Sequence, residues 1–252
     1  MSVARYDYGR AGIVGIGTPQ ANPTVEAEMR ILMPPNMLIA VARLVSAEEK
    51  PVARLWDYLD RLHVSLEQYD TLRPAAFGFA CTGSSYVMEP ARERALVAQL
   101  EARFGYPILT AVGAIHEELQ RMGARRLAFA APYPAPLQDA ATAYWRAMGY
   151  DVVALRSIDT GSRDTRSIYA LGSADARVAA EALAGCEVDA VLLSGTGMPS
   201  LALLGDPPPG PPLLSSNLCL ANALCRRLGL PAPDANAWRP RLAEALCPKE
   251  PR

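Results

Sequence analysis

The sequence predicts an α/β protein of two pseudo-symmetric halves, each a parallel sheet covered by helices, with its functional site in the cleft between them. Three observations predict it. Short apolar runs alternate with longer amphipathic stretches, the pattern of parallel strands joined by crossover helices. The short runs are apolar throughout, as strands buried on both faces must be. The pattern also repeats, because segments of the first half find counterparts in the second at a nearly constant offset.

The elements follow in order. "AGIVGIG" (11–17) and "AAFGFACT" (75–82) are expected as buried strands. "PARERALVAQLEARFG" (90–105) is amphipathic with a helical period. "PILTAV" (107–112) is expected as a short strand that begins at proline, and "GAIHEELQRMG" (113–123) as the helix after it. The second half opens on the buried strand "RLAFAAP" (126–132), then the helical "LQDAATAYWRAMGY" (137–150) and the strand "DVVALRS" (151–157), also expected to be buried. "SADARVAAEALAG" (173–185) is helical, and "DAVLLSG" (189–195) and "PPLLSSN" (211–217) are strands. Glycine closes several helical patterns, as helix ends favour. "MLIAVARLV" is too short and too interrupted to span a membrane.

The repeat can be measured. Ile13–Thr18 aligns with Leu127–Pro132 at an offset of 114, and Phe79–Gly83 aligns with Leu193–Gly197 at the same offset. "PILTAVGAIHEELQRMG" resembles "PLLSSNLCLANALCRRLG" at a slightly shorter one. Three matches in one order indicate a duplicated unit. The halves are assigned as residues 1–122, joined by about 215–252, and residues 123–214.

Bulk properties exclude several function classes. The formal net charge is −1 over 252 residues, with acidic and basic residues interspersed. No basic stripe points to nucleic acid. The opening "MSVARYDYGR" lacks the apolar core of a secretory signal, so a soluble cytoplasmic protein is expected, with no membrane partner and self-association left open. Five cysteines without a CxxC pattern argue against a disulfide framework or a thiolate metal site. The two histidines, His63 and His116, form no metal-binding spacing, so a metal is not expected.

Four strand ends carry the chemistry: "GTPQANPTVE", "CTGSSY", "APYPAP" and "SGTGMPS". In open parallel sheets ligands bind beyond the carboxyl ends of the strands. Cys81 stands at one such end, where it is either a buried core thiol or a nucleophile. Thr82, Gly83, Ser84 and Ser85 after it form a turn that opens a helix at about Tyr86 or Pro90. Free N–H groups there stabilise a thiolate and hold a carboxylate, so a lowered pKa is expected for Cys81. Gly195, Thr196 and Gly197 form the paired turn, either a tight glycine turn or a second anion site. Met33, Met37, Leu38 and Met198 either line the pocket or pack in the core.

"NPTVE", "ACTGSS", the tyrosine of "APYPAP" and "LLSGTGMPS" resemble the aspartate/glutamate racemase superfamily, in its maleate cis-trans isomerase and arylmalonate decarboxylase branch. The resemblance covers most of residues 11 to 230. It implies a cofactor-free enzyme in which Cys81 is the nucleophile or proton carrier. Asn22, Thr82, Tyr133 and the backbone near Thr196 would bind carboxylate oxygens. One departure is large: the family's racemases and isomerases carry a second cysteine where this chain has Gly195, which argues against two-thiol proton exchange. Arylmalonate decarboxylase keeps one cysteine on the opposite half, so this chain has the mirror arrangement. A milder departure is Asp164–Thr165 of "RDTRS" in place of an asparagine-containing pair.

Two one-thiol reactions fit the resemblance. In the first, Cys81 adds to the double bond of maleate or a maleate-like acid, the adduct rotates, and the thiolate leaves the trans isomer. In the second, a malonate-type acid loses CO2 and Cys81 protonates the product. Isomerisation is favoured, because Cys81 occupies the position of the isomerase nucleophile. A non-catalytic carboxylate-binding protein ranks below both.

Overall fold

Apolar runs with no polar face must be covered on both sides, and the structure puts most of them inside two sheets; the run 151–157, expected to be buried, is instead a largely exposed strand at a sheet edge. The computed structural model describes residues 7–247. Residues 1–6, part of the polar opening stretch, and 248–252, the end of the segment assigned to the first half, lie outside the described residues.

The first half runs β1 (Ile13–Pro19), α1 (Thr24–Leu32), β2 (Leu38–Leu44), α2 (Pro51–Asp60), α3 (Leu62–Glu67), β3 (Ala76–Phe79), α4 (Thr82–Tyr86), α5 (Pro90–Phe104), β4 (Ile108–Thr110) and α6 (Ala111–Arg121). The second runs β5 (Arg126–Ala131), α7 (Ala135–Ala147), β6 (Asp151–Ser157), a 3-10 turn (Thr165–Ala170), α8 (Ser173–Leu183), β7 (Ala190–Leu193), α9 (Leu201–Gly205) and β8 (Leu213–Ser215). Helices α10 (Ser216–Arg227) and α11 (Ala235–Leu246) follow. The sheets have the matching orders β2-β1-β3-β4 and β6-β5-β7-β8, and every ladder is parallel. The expected fold class, two similar parallel-sheet α/β halves, is the observed one.

The ladders correct the alignment of the first strand. Val14 lies opposite Ala76, and Leu127 lies opposite Ala190. β3 and β7 are therefore 114 residues apart, but β1 and β5 are 113 apart (14 to 127). Apolar strands look alike after a one-residue slip, and only the hydrogen-bond register separates the choices. In the corrected register Pro19 matches Pro132.

Strand β2 was not expected. It lies at the edge of its sheet, where its residues are mostly half-buried and Arg43 interrupts the apolar run. Helices α1, α2, α3 and α11 were also missing from the sequence reading. Pro51 at the first position of α2 is a start signal that was available.

The chain crosses back after β8. Leu220, Ala223 and Leu224 of α10 are buried, and α10 packs on α6, β3 and β4 of the first half. Gly78 of β3 is needed for this approach. A Cβ there would lie 3.1–3.3 Å from the Cδ1 atoms of Ile16, Leu224 and Leu220. No helix among the described residues is long and apolar enough to cross a membrane.

Candidate functional site

The strand order reverses between β1 and β3, and again between β5 and β7, so both switch points open at carboxyl ends. Those ends meet. Thr196 Oγ1 donates to Ala80 O at 2.9 Å, and Tyr86 Oη lies 2.9 Å from Ser194 Oγ. Between them lies a cavity of about 40 Å³. A larger groove of about 660 Å³ beside it shares Tyr133, Leu137 and Thr165.

Cys81 lines this cavity and is 5% exposed. It leaves β3 in an extended conformation (φ −149°, ψ 97°) and precedes the first turn of α4. Ser84 Oγ donates to its Sγ at 3.2 Å. Burial pushes the thiol pKa up, against the opposing pull of Ser84 and the backbone N–H groups of Ser84 and Gly83. The expectation of a lowered pKa is thus reversed. The helix start is present, but removal from water outweighs it. Cys219, fully buried without chemistry nearby, is pushed up as well, first by desolvation.

Gly195, Thr196 and Gly197 line the same cavity from the other half. Gly195 adopts φ +122°, and a Cβ there would meet Ile168 Cδ1 at 2.9 Å. Its own N–H donates to Ser216 Oγ at 3.1 Å. The N–H groups of Thr196 and Gly197 have no acceptor among the described residues. The turn is braced from behind: Asn217 Nδ2 donates to Thr196 O at 3.0 Å, and Thr24 Oγ1 donates to Gly197 O at 2.8 Å.

Thr82, Gly83 and Tyr133 also line the cavity. Tyr133 Oη lies 2.6 Å from Thr82 Oγ1 and 3.4 Å from Ser194 Oγ. Asn22 and Ser84 are buried outside this lining. Asn22 Oδ1 accepts the N–H groups of Thr24 (2.9 Å) and Val25 (3.3 Å) at the start of α1, and its Nδ2 reaches Thr196 Oγ1 at 3.5 Å. Met33, Met37, Leu38 and Met198 are not on the cavity wall. Met33 and Met198 are core residues, and Leu38 opens β2 at the end of the sheet away from the cavity.

The sequence reading missed one wall entirely. Arg54, Leu55 and Tyr58 come from α2, and Thr165, Arg166, Ile168 and Tyr169 come from the 3-10 turn. Arg54 is held by Asp164 at 2.7 Å. Tyr58 is pushed up to about 12, first by burial and then by the Cys81 charge. The signal for α2 was the proline-started amphipathic stretch "PVARLWDYLD". Nothing local marked Arg54 as facing the cleft.

Behind the Gly195 turn lies Glu28, fully buried. It accepts Ser200 N (2.6 Å), Leu201 N (3.2 Å), Ser200 Oγ (3.2 Å) and Asn217 Nδ2 (2.7 Å). Burial nonetheless pushes its pKa up. This ties "NPTVEAE" to "MPS" structurally. No group of three or more His, Cys, Asp or Glu among the described residues is placed to hold a metal.

A family model described as arylmalonate decarboxylase matches residues 50–237. The chain is 28% identical to the maleate isomerase of Nocardia farcinica over 238 residues, which covers 90% of this chain and 94% of that protein. A solved variant of the Nocardia farcinica maleate cis-trans isomerase with a covalently bound succinylcysteine intermediate superposes with TM-score 0.76 at 24% identity, covering 87% of this chain and 94% of the other. A crystal structure of arylmalonate decarboxylase superposes with TM-score 0.64 at 22% identity, covering 86% and 92%. At these identities the two superpositions speak for the fold.

Proposed function

We propose, from the premise that this chain belongs to the arylmalonate decarboxylase family, that it is a cofactor-independent cysteine isomerase converting maleate or a maleate-like dicarboxylate to the trans acid. The observation that carries this reading is a single thiol, Cys81, facing a glycine turn across a small cavity lined from both halves. The curated relative with 28% identity is a maleate isomerase, and a solved neighbour holds a succinylcysteine.

The chemistry needs one nucleophile. Cys81 first gives up its proton to water, at a cost set by its raised pKa, and the thiolate then adds to one alkene carbon, forming the S–C bond. The π pair moves to the other alkene carbon and into its carboxylate as an enediolate. The former double bond is now single and rotates. The pair then returns, the S–C bond breaks, and the trans acid leaves with the thiolate restored. Developing charge on the carboxylate oxygens is met by preorganised donors. These are the N–H groups of Thr196 and Gly197 on one side, and Thr82, Gly83 and the Tyr133 hydroxyl on the other. Gly195 keeps its turn open to substrate. Asn22 and Ser84 act from behind, Asn22 through Thr196 and Ser84 on the thiol itself.

A second reading is decarboxylation of a malonate-type acid, with Cys81 as proton donor. Leu55, Leu137 and Ile168 on the cavity wall favour it, since an apolar wall destabilises a departing carboxylate. Proton NMR in D2O separates the two. Maleate giving fumarate without deuterium at carbon supports isomerisation. Loss of CO2 from phenylmalonate with deuterium at the α-carbon, and no change in maleate, overturns it. Turnover of neither acid leaves the chain a carboxylate-binding protein.

A further inference from the structure

Arg54 is out of place for a structural residue. It lies in α2, its side chain is 6% exposed, and it forms part of the wall of the Cys81 cavity. Its Nη1 donates to Glu49 O at 3.2 Å. Its Nη2 donates to Asp164 Oδ1 at 2.7 Å and to Thr165 Oγ1 at 3.4 Å. A guanidinium has five N–H donors, and these contacts use its outer nitrogens only. The Asp164 side chain is 33% exposed, far more than Arg54. Asp164 also has a second cation: Arg166 Nε donates to its Oδ2 at 2.9 Å. Releasing Arg54 therefore leaves Asp164 paired and near water. The cavity wall holds two guanidinium groups, Arg54 and Arg166, against this single carboxylate. Tyr58 and Tyr169 both stand within electrostatic reach of Cys81 and of Arg54, so the thiol and the guanidinium share one space.

We propose that Arg54 is the specificity-determining residue for the substrate's second carboxylate, and that Asp164 is its place-holder. One carboxylate sits on the Thr82 and Thr196 turns beside Cys81. The other takes Asp164's position on Arg54, and Asp164 stays with Arg166. A planar guanidinium suits a carboxylate in two-point contact. The site then selects small dianions over monoanions, and an uncharged aryl group meets a buried cation. This rests on the dicarboxylate reading above and names the residue that sets it.

The test is calorimetric titration with two saturated probes, succinate and propionate. The wild type is expected to bind succinate more tightly by about tenfold or more, as a charge-assisted pair implies. Arg54→Met abolishes that preference and leaves propionate little changed. Arg54→Lys keeps part of it. Asp164→Asn strengthens succinate binding several-fold, because the competitor is gone. Equal affinity for both probes in the wild type overturns the proposal. So does an Arg54→Met loss shared equally by succinate and propionate, or succinate binding unchanged or weakened in Asp164→Asn. If circular dichroism shows Arg54→Met unfolded, Arg54→Lys and Asp164→Asn decide by the same criteria. The isomerase reading fails separately: no fumarate from maleate, with the Arg54-dependent preference intact, removes the reaction and keeps the clamp. Fumarate formed with unchanged kcat/KM in Arg54→Met keeps the reaction and removes the clamp.

Discussion

Tyr133→Phe removes one oxygen and keeps the ring. The ring's edge-on contact with Tyr86, centroids 6.0 Å apart, survives. Two hydrogen bonds are lost, the 2.6 Å contact to Thr82 Oγ1 and the 3.4 Å contact to Ser194 Oγ. Ser194 keeps Tyr86 at 2.9 Å, so the structural cost falls mainly on Thr82. An orphaned buried hydroxyl costs about 1–3 kcal/mol. For a chain of this size that corresponds to a fall in Tm of roughly 2–12 °C. Catalysis should suffer separately. A lost donor to a substrate carboxylate lowers kcat/KM by about tenfold to a hundredfold, or about 1.4–3 kcal/mol. The assay pairs a thermal melt with initial rates of maleate consumption, run well below the variant's Tm. A lowered Tm with unchanged kcat/KM would mean that Tyr133 serves Thr82 and not the substrate.

Other outcomes follow from the same geometry. Cys81→Ala should abolish turnover and Cys81→Ser should leave a trace at most, since an alkoxide is far harder to form than a thiolate; full activity in either variant removes the nucleophile. In partial iodoacetamide labelling read by mass spectrometry, exposed Cys247 should react before Cys81, whose thiol is buried and pushed up, and succinate should slow Cys81 alone; labelling of Cys81 first would show that burial does not control it. Gly195→Cys should lose stability, because residue 195 holds φ +122° and its new Cβ meets Ile168, and a Tm equal to wild type would show that the turn relaxes. Glu28 has a folded pKa above its ordinary 4.5. The sign is therefore that its contribution is full below about pH 4.5 and is lost as pH rises through the folded value. Thermal melts should show Glu28→Gln gaining on the wild type as pH rises above 4.5; a gap that is constant with pH would mean that Glu28 does not titrate in that range.

Much of the fold was legible because burial on both faces leaves a mark in every residue of a strand. Arg126–Ala131 and Ala190–Leu193, buried almost throughout, lie inside the apolar runs that implied them. Edge strands leave a weaker mark: Leu38–Leu44 and Asp151–Ser157 are both partly exposed and carry Arg43 and Arg156, and only the second was legible as a strand. The offset of β1 to β5 was one residue out because similarity between apolar runs cannot fix a register that backbone hydrogen bonds fix.

The two parallel-sheet halves, and the two turns Cys81–Gly83 and Gly195–Gly197 that meet in the cavity, are written into the chain. Their signals are local: apolar runs that end in glycine and hydroxyl residues, repeated at a near-constant offset. The direction of the Cys81 pKa comes from packing across the fold, since desolvation depends on what surrounds a thiol and not on its neighbours in the chain. Packing likewise turned Asn22 into a brace for Thr196, 174 residues away, and placed Arg54 in the cleft against Asp164, 110 residues away. Contacts of such range cost loop-closure entropy and are held by packing of the whole domain, so no short stretch of sequence carries their signal.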